Sequence, residues 1–260
     1  MKPTRAFVRI IDRQTIIITS LSLFATFLCN LSEFYAELPS ALIGIAVIFP
    51  IVFSINSAYR RREETLRYFA SLKAHAVAIY YAHRDWAPEG TGQAERAKDL
   101  IQALLHEIMD YFMSSDRGNE KEQFRRVYEH FSMFSKSHEY LRQAGVPANE
   151  ISRVNQYLRA MIIDFEKMRN ILLYRTPISL RAYSQVFLNS FPIIYAPYFA
   201  SLGNKSCAAV GYLVAILYSL VLVSLDNIQE RLENPYDKIG LDDVNLDESE
   251  RYAEIMDSAP

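Results

Sequence analysis

The chain has 260 residues, 50% of them hydrophobic and 22% charged, with a net charge of −2. That balance argues against a dedicated nucleic-acid binder, which would be basic, and two cysteines, Cys29 and Cys207, do not make a disulfide framework. The apolar residues are not scattered at the spacing of a soluble core; they gather in uncharged runs near both ends, with most of the charge between and beyond them.

Residues 1–14 are short and basic, with Lys2, Arg5, Arg9 and Arg13. An apolar run follows from Thr15 to Cys29. A secretory leader has this layout, but no small-x-small cleavage site comes next; the sequence continues Asn30-Leu31-Ser32-Glu33-Phe34-Tyr35. A second run, Leu38 to Phe53, begins almost at once. A helix needs about 20 residues to cross the hydrocarbon core, and Phe34 and Tyr35 suit its interface. Residues 15–55 are therefore predicted to form a first transmembrane hairpin.

Residues 56–178 are predicted to form a cytosolic helical domain. Arg60 to Ala82 is charged but carries apolar residues at helical spacing, and the Pro88–Gly92 stretch breaks it. Further helices are expected from about Ala94 to Met113, from Glu120 to Gln143 and from Asn149 to Leu173. In the last, Val154, Leu158, Met161, Ile162, Phe165, Met168 and Leu172 recur at intervals of three and four, an amphipathic pattern.

Residues 179–230 are predicted to form a second hairpin. Its first span, Ser184 to Leu202, is interrupted by Pro192 and Pro197. Its second, Cys207 to Leu225, is nineteen residues without a charge. Residues 231–260 read as an acidic C-terminal segment, partly extended and disordered at its end. Both cysteines fall in apolar segments and read as small packing residues. Nineteen of the 28 lysines and arginines lie between Asn56 and Pro177, and the loop from Asn30 to Pro39 has none. The positive-inside bias places both termini and the middle domain in the cytosol of a multi-pass protein of the cell (inner) membrane. The predicted fold class is all-α: four transmembrane helices as two hairpins flanking a cytosolic helical domain.

Enzyme signatures are missing. There is no phosphate loop and no nucleophile elbow, and His106-Glu107 meets Asp110 where a second zinc-binding histidine would stand. The histidines at 75, 83, 106, 130 and 138 read as surface or packing residues. No catalytic residue, metal ligand or cofactor is expected.

The second span is more informative. Ile45, Phe49 and Phe53 recur every four residues and share one slowly drifting face. Two readings stand: the face meets lipid or neighbouring helices, or copies from several subunits ring an axis as a hydrophobic constriction. Asn56, at the expected membrane edge, either ends the helix or lines a vestibule beneath that constriction.

Three stretches then resemble one family. Phe53-Ser54-Ile55-Asn56-Ser57-Ala58-Tyr59-Arg60-Arg61-Arg62-Glu63-Glu64 is similar to the signature closing the second span of the bestrophins. Thr176-Pro177-Ile178-Ser179-Leu180-Arg181-Ala182-Tyr183 resembles their entry to the third span. Glu233-Asn234-Pro235-Tyr236, with Leu241-Asp242-Asp243, resembles their acidic segment after the fourth. The hairpin–domain–hairpin order agrees over residues 5 to 247. The resemblance implies a homopentameric ion channel embedded among membrane lipids; most of the family conducts inorganic anions such as chloride, and some bacterial members pass cations. It implies a pore neck at Ile45, Phe49 and Phe53 and a lower constriction near Ile178. The chain departs from the pattern at Arg60, Arg62 and Glu63, where the family has an acid and two tryptophans. Animal members bind calcium through acids after Asn-Pro. Asn234 and Asp242 match two of those positions, but Ile239 stands at another, and a solvated acidic tail is the plainer reading of Asp242 and Asp243. A non-conducting, membrane-anchored scaffold remains the alternative from a different class.

Overall fold

The computed structural model describes residues 10–37, 40–114, 117–174, 177–205, 207–238 and 243–258, with backbone only at 40–43, 45–47 and 117. Among the described residues every regular element is helical. The chain divides into two compact units, residues 1–60 with 175–233, and residues 61–174 with 234–260.

The first unit holds α1 (Arg13–Leu31), the first part of α2 (Ser40–Trp86), α6 (Ile178–Ile194), α7 (Ala196–Lys205) and α8 (Ala208–Glu233). Asp12 starts α1 as a capping box: its carboxylate accepts from the Thr15 amide at 2.9 Å, and the Thr15 hydroxyl reaches back to the Asp12 amide. The helix is built inside out. Its buried residues are Thr15, Ser22 and Thr26, while Ile16, Ile17, Leu21, Phe24, Phe27 and Leu28 are exposed. The buried hydroxyls find protein partners: Ser22 donates to Pro192 O at 2.6 Å, and Thr26 donates to Ser22 O at 2.8 Å.

α8 repeats the inversion. Gly211, Ala215 and Ser219 are buried while Val210, Leu213, Leu217 and Val221 face outward. Small residues let α7 and α8 approach closely; a Cβ built on Gly211 would lie 2.4 Å from Phe199 O. By length and composition, α1 and α8 are the described helices able to cross a membrane.

The expected third span is two helices with a turn at Tyr195. Pro192 removes the amide that would have bonded Leu188 O, and α6 stops two residues later. Pro197 lies in the first turn of α7, where a missing amide costs nothing. Cys207, expected to pack, is exposed, and both cysteines are free thiols. In the turn beside it, Lys205 pairs with Glu37.

The second unit holds the rest of α2, α3 (Gln93–Met113), α4 (Glu120–Gln143), α5 (Ala148–Leu173) and α9 (Ser249–Ser258). One apolar core joins them. α2 contributes Phe69, Leu72, Ala76 and Ile79; α3 contributes Ile101, Leu104, Leu105, Ile108 and Phe112. α4 adds Val127, Phe131 and Phe134, and α5 adds Val154, Met161, Phe165 and Met168. Within each set the residues recur at i, i+3, i+4 or i+7, the spacing that puts side chains on one helical face.

Two expectations are corrected. Asn56 does not end a helix: α2 runs unbroken through it to Trp86, because no glycine or proline intervenes before Pro88. The C-terminal segment is not a loose tail. α8 continues past Asp226 to Glu233, and the chain then folds onto the second unit. Tyr236 is fully buried, stacks on Phe112 with ring centroids 4.5 Å apart, and donates to Met168 O at 3.0 Å. α9 buries Met256, whose carbonyl accepts from the Tyr80 hydroxyl at 2.9 Å.

Candidate functional site

The site is built on α2 within the first unit. Ile51, Ser54 and Ala58 are fully buried, at the i, i+3, i+7 spacing of one helical face. Ile51 packs with Leu188 of α6 and Leu222 of α8, with Ile55, Phe191 and Tyr218 around them. Phe49 and Phe53 lie two residues to either side of Ile51. Two residues turn a helix by about 200°, so both rings point away from the packed face. Phe49 is 59% exposed and Phe53 61%, and Ile48 and Val52 beside them are also exposed. The two rings touch, with centroids 5.8 Å apart and planes tilted by 46°. Ile45 lies on the same helix; its side chain falls outside the described residues. Asn56 is exposed, one turn beyond Phe53.

A row of bare aromatic side chains is costly in water. Each fully buried Phe is worth roughly 1.5–3 kcal/mol relative to exposure. The fold hides the opposite face of α2 and leaves this one uncovered by the described residues.

The other predicted residues distribute as follows. Ile178 opens α6 and is 78% exposed. Three residues on, Arg181 donates to Glu233 at 3.0 Å, and Glu233 is buried at the end of α8. The arginine run is not a uniform basic patch. Arg60 is exposed, Arg61 donates to Ile171 O at 2.7 Å, and Arg62 pairs with Glu63 at 2.6 Å. Asn234 donates to Asp237 at 2.9 Å, and Val244 N bonds Pro235 O at 2.8 Å, so the Asn-Pro segment folds back on itself. Asp243 is partly buried; Asp242 and Ile239 lie outside the described residues. Among the described residues no three His, Cys, Asp or Glu side chains gather as a metal site.

Two features were not read from the sequence. Glu233 entered only as part of the Asn-Pro motif, yet it is the buried partner of Arg181. His83 and His138 were read separately, yet their rings meet in the core of the second unit with centroids 5.6 Å apart. Local spacing carries no signal for pairs so far apart in the chain.

No protein-family profile matches the sequence, and no curated protein does. The fold does have counterparts. A crystal structure of a bacterial bestrophin homologue from Klebsiella pneumoniae, a point mutant, superposes with a TM-score of 0.75 at 15% identity, over 94% of this chain and 97% of that one. A second mutant of the same homologue gives 0.78 at 15% identity, over 94% and 99%. A structure described as a membrane protein gives 0.78 at 15% identity, over 95% and 100%. The chain has a bestrophin-like fold over nearly its whole length.

Proposed function

We propose that this chain, with its bestrophin-like fold, is the subunit of an oligomeric ion channel whose pore is narrowed by the aromatic face of α2. Four spans cross the membrane in this reading: α1, the apolar first part of α2, the α6–α7 pair and α8. Both termini and the second unit lie in the cytosol of a cell-membrane protein. Five copies place Ile45, Phe49 and Phe53 around a common axis, with Asn56 and Ile178 lining wider and narrower points of the path below. Asn234, Asp242 and Asp243 of the C-terminal segment are not assigned a calcium role.

The observation that carries the proposal is the division of α2 into two faces. Ile51, Ser54 and Ala58 are consumed by packing within the subunit, while Phe49 and Phe53 remain largely exposed on the opposite side. The inverted helices α1 and α8 support a lipid setting. Their hydroxyls and small residues point inward and their isoleucines, leucines and phenylalanines outward, the arrangement expected where the solvent is hydrocarbon. The fold match extends to proteins described as a membrane protein and a bestrophin homologue.

A neck of bare aromatic rings presents no fixed charge and no hydrogen-bond donor. An ion passing it surrenders part of its hydration shell, and the barrier follows that dehydration cost. Weakly hydrated ions therefore pass best, with little discrimination among them; the sign of the ion, proposed to be negative, is set outside the neck. The scaffold alternative leaves the exposed rings without a role.

The test is anion flux from liposomes reconstituted with the purified protein. Wild-type protein releases trapped chloride, and the Phe49→Ala, Phe53→Ala double variant releases it severalfold faster because the constriction widens. Flux that is unchanged in that variant rejects the neck, and the absence of flux from correctly assembled protein rejects the channel.

A further inference from the structure

The second unit contains a pair of buried histidines that the channel reading does not use. His83 on α2 is 1% exposed and His138 on α4 is 2% exposed, and their rings are inclined at 42°.

The hydrogen bonds fix where the protons sit. His83 Nδ1 is 2.9 Å from Ile79 O, which can only accept, so Nδ1 carries the hydrogen. Its Nε2 is 3.0 Å from the Ser137 hydroxyl, which is also 2.8 Å from Phe134 O. Neutral His83 can accept from Ser137 only when that hydroxyl turns its single hydrogen away from Phe134 O. A protonated His83 would instead donate to Ser137 Oγ, and Ser137 would donate to Phe134 O. His138 is different. Its Nδ1 donates to Asn155 Oδ1 of α5 at 2.9 Å, and its Nε2 is buried without a hydrogen-bond partner. Neutral, that nitrogen is a lone pair in an apolar core; protonated, it becomes a charged donor with nothing to accept from it.

Among the described residues no acid is free to offset such a charge. On α2, Arg84 pairs with Asp85; on α3, Glu95 pairs with Lys98. On α4, Glu139 beside His138 is turned to Arg142, and on α5 Glu150 holds Arg153. Glu89, in the loop after α2, is exposed. The buried acid of α5, Asp164, is turned to the other histidine of α2, His75, at 3.9 Å. When His83 carries a proton it repels a second one on His138.

We propose that His83 and His138 make the second unit an acid sensor: a proton placed on His138 breaks the contact of α4 with α2 and α5 at that point. The proposal is independent of the channel reading. Burial lowers the proton affinity of His83, and burial, followed by the repulsion of His83, outweighs the Asn155 bond to bring His138 down to about 4. The sign follows from linkage. The folded state resists protonation while the opened state titrates near the ordinary histidine value of about 6.5. The contact is therefore fully stable above about pH 6.5 and weakens as pH falls toward 4. Each unit of pH in that window favours opening up to about tenfold, or roughly 300-fold across it for His138 alone.

Histidine hydrogen–deuterium exchange, read by mass spectrometry on the full chain in detergent from pH 4 to 8, reports each ring separately. His138 is expected to titrate below pH 5 and to exchange slowly; a midpoint near 6.5 overturns the proposal. Thermal melting provides the second readout. Wild-type protein loses melting temperature between pH 7.5 and pH 5, and His138→Leu, which cannot take a proton, loses markedly less over the same interval. An equal loss in the two proteins also overturns it. If the variant does not fold, the exchange midpoint of the wild-type ring decides.

Discussion

Two glycine-to-alanine changes should move stability in opposite directions. At Gly211 an added Cβ would sit 2.4 Å from Phe199 O and 3.2 Å from Gly203 Cα and N. These are backbone atoms of a packed helix, with Phe199 itself 1% exposed, so no side chain can swing aside. Relief requires α7 and α8 to separate by roughly 1 Å, and forced overpacking of this kind costs about 1–3 kcal/mol. Replacing a helical glycine by alanine returns about 1 kcal/mol of propensity. Taking the upper part of the overpacking range, Gly211→Ala is destabilising by about 1–2 kcal/mol. At Gly44, also helical, the Cβ meets nothing within 4 Å. Only the propensity gain remains, so Gly44→Ala is stabilising by up to about 1 kcal/mol. The two variants should differ in melting temperature by on the order of 5–10 °C in a chain of this size. The assay is circular dichroism of the purified protein in detergent. A Gly211→Ala variant that melts at or above the wild-type temperature refutes the close approach of α7 and α8.

The C-terminal segment offers two further tests. Tyr236→Phe keeps the ring stacked on Phe112 but loses the bond to Met168 O and the 3.1 Å contact with Thr65 Oγ1. It should lower stability by about 1 kcal/mol, and an unchanged urea midpoint would contradict the burial of its hydroxyl. Removing residues 249–260 uncovers the surface beneath Met256 and orphans the Tyr80 hydroxyl. The combined cost is about 2–4 kcal/mol, visible as faster protease cleavage of the second unit; equal cleavage of the two proteins would mean that α9 is not docked.

Much of the second unit was legible because its punctuation is local. Gly145 and Pro147 separate α4 from α5, and the three-and-four spacing from Val154 to Leu172 marks the buried face of α5. The ends of α3, α4 and α5 at Met113, Gln143 and Leu173 fall where the pattern places them. Continuity was harder to read. A change from apolar to charged residues at Asn56 or Asp226 alters what surrounds a helix but not the helix, so α2 and α8 continue where composition changes. α9 hid in a segment read by charge, although Tyr252 and Met256 stand at i, i+4. On α2 the spacing of Ile45, Phe49 and Phe53 picked out a face, but the residues alone could not say that Ile51, Ser54 and Ala58 occupy the packed side. The exposure of Phe49 and Phe53 follows from tertiary packing, as does the meeting of His83 with His138.

Electron microscopy of the purified, detergent-solubilised particle, viewed along its axis, tests the central claim most directly. Five copies around an axial opening are expected, with Phe49 and Phe53 of every subunit forming its narrowest ring. A particle without an axial opening, or one in which those rings face the detergent belt, would contradict it.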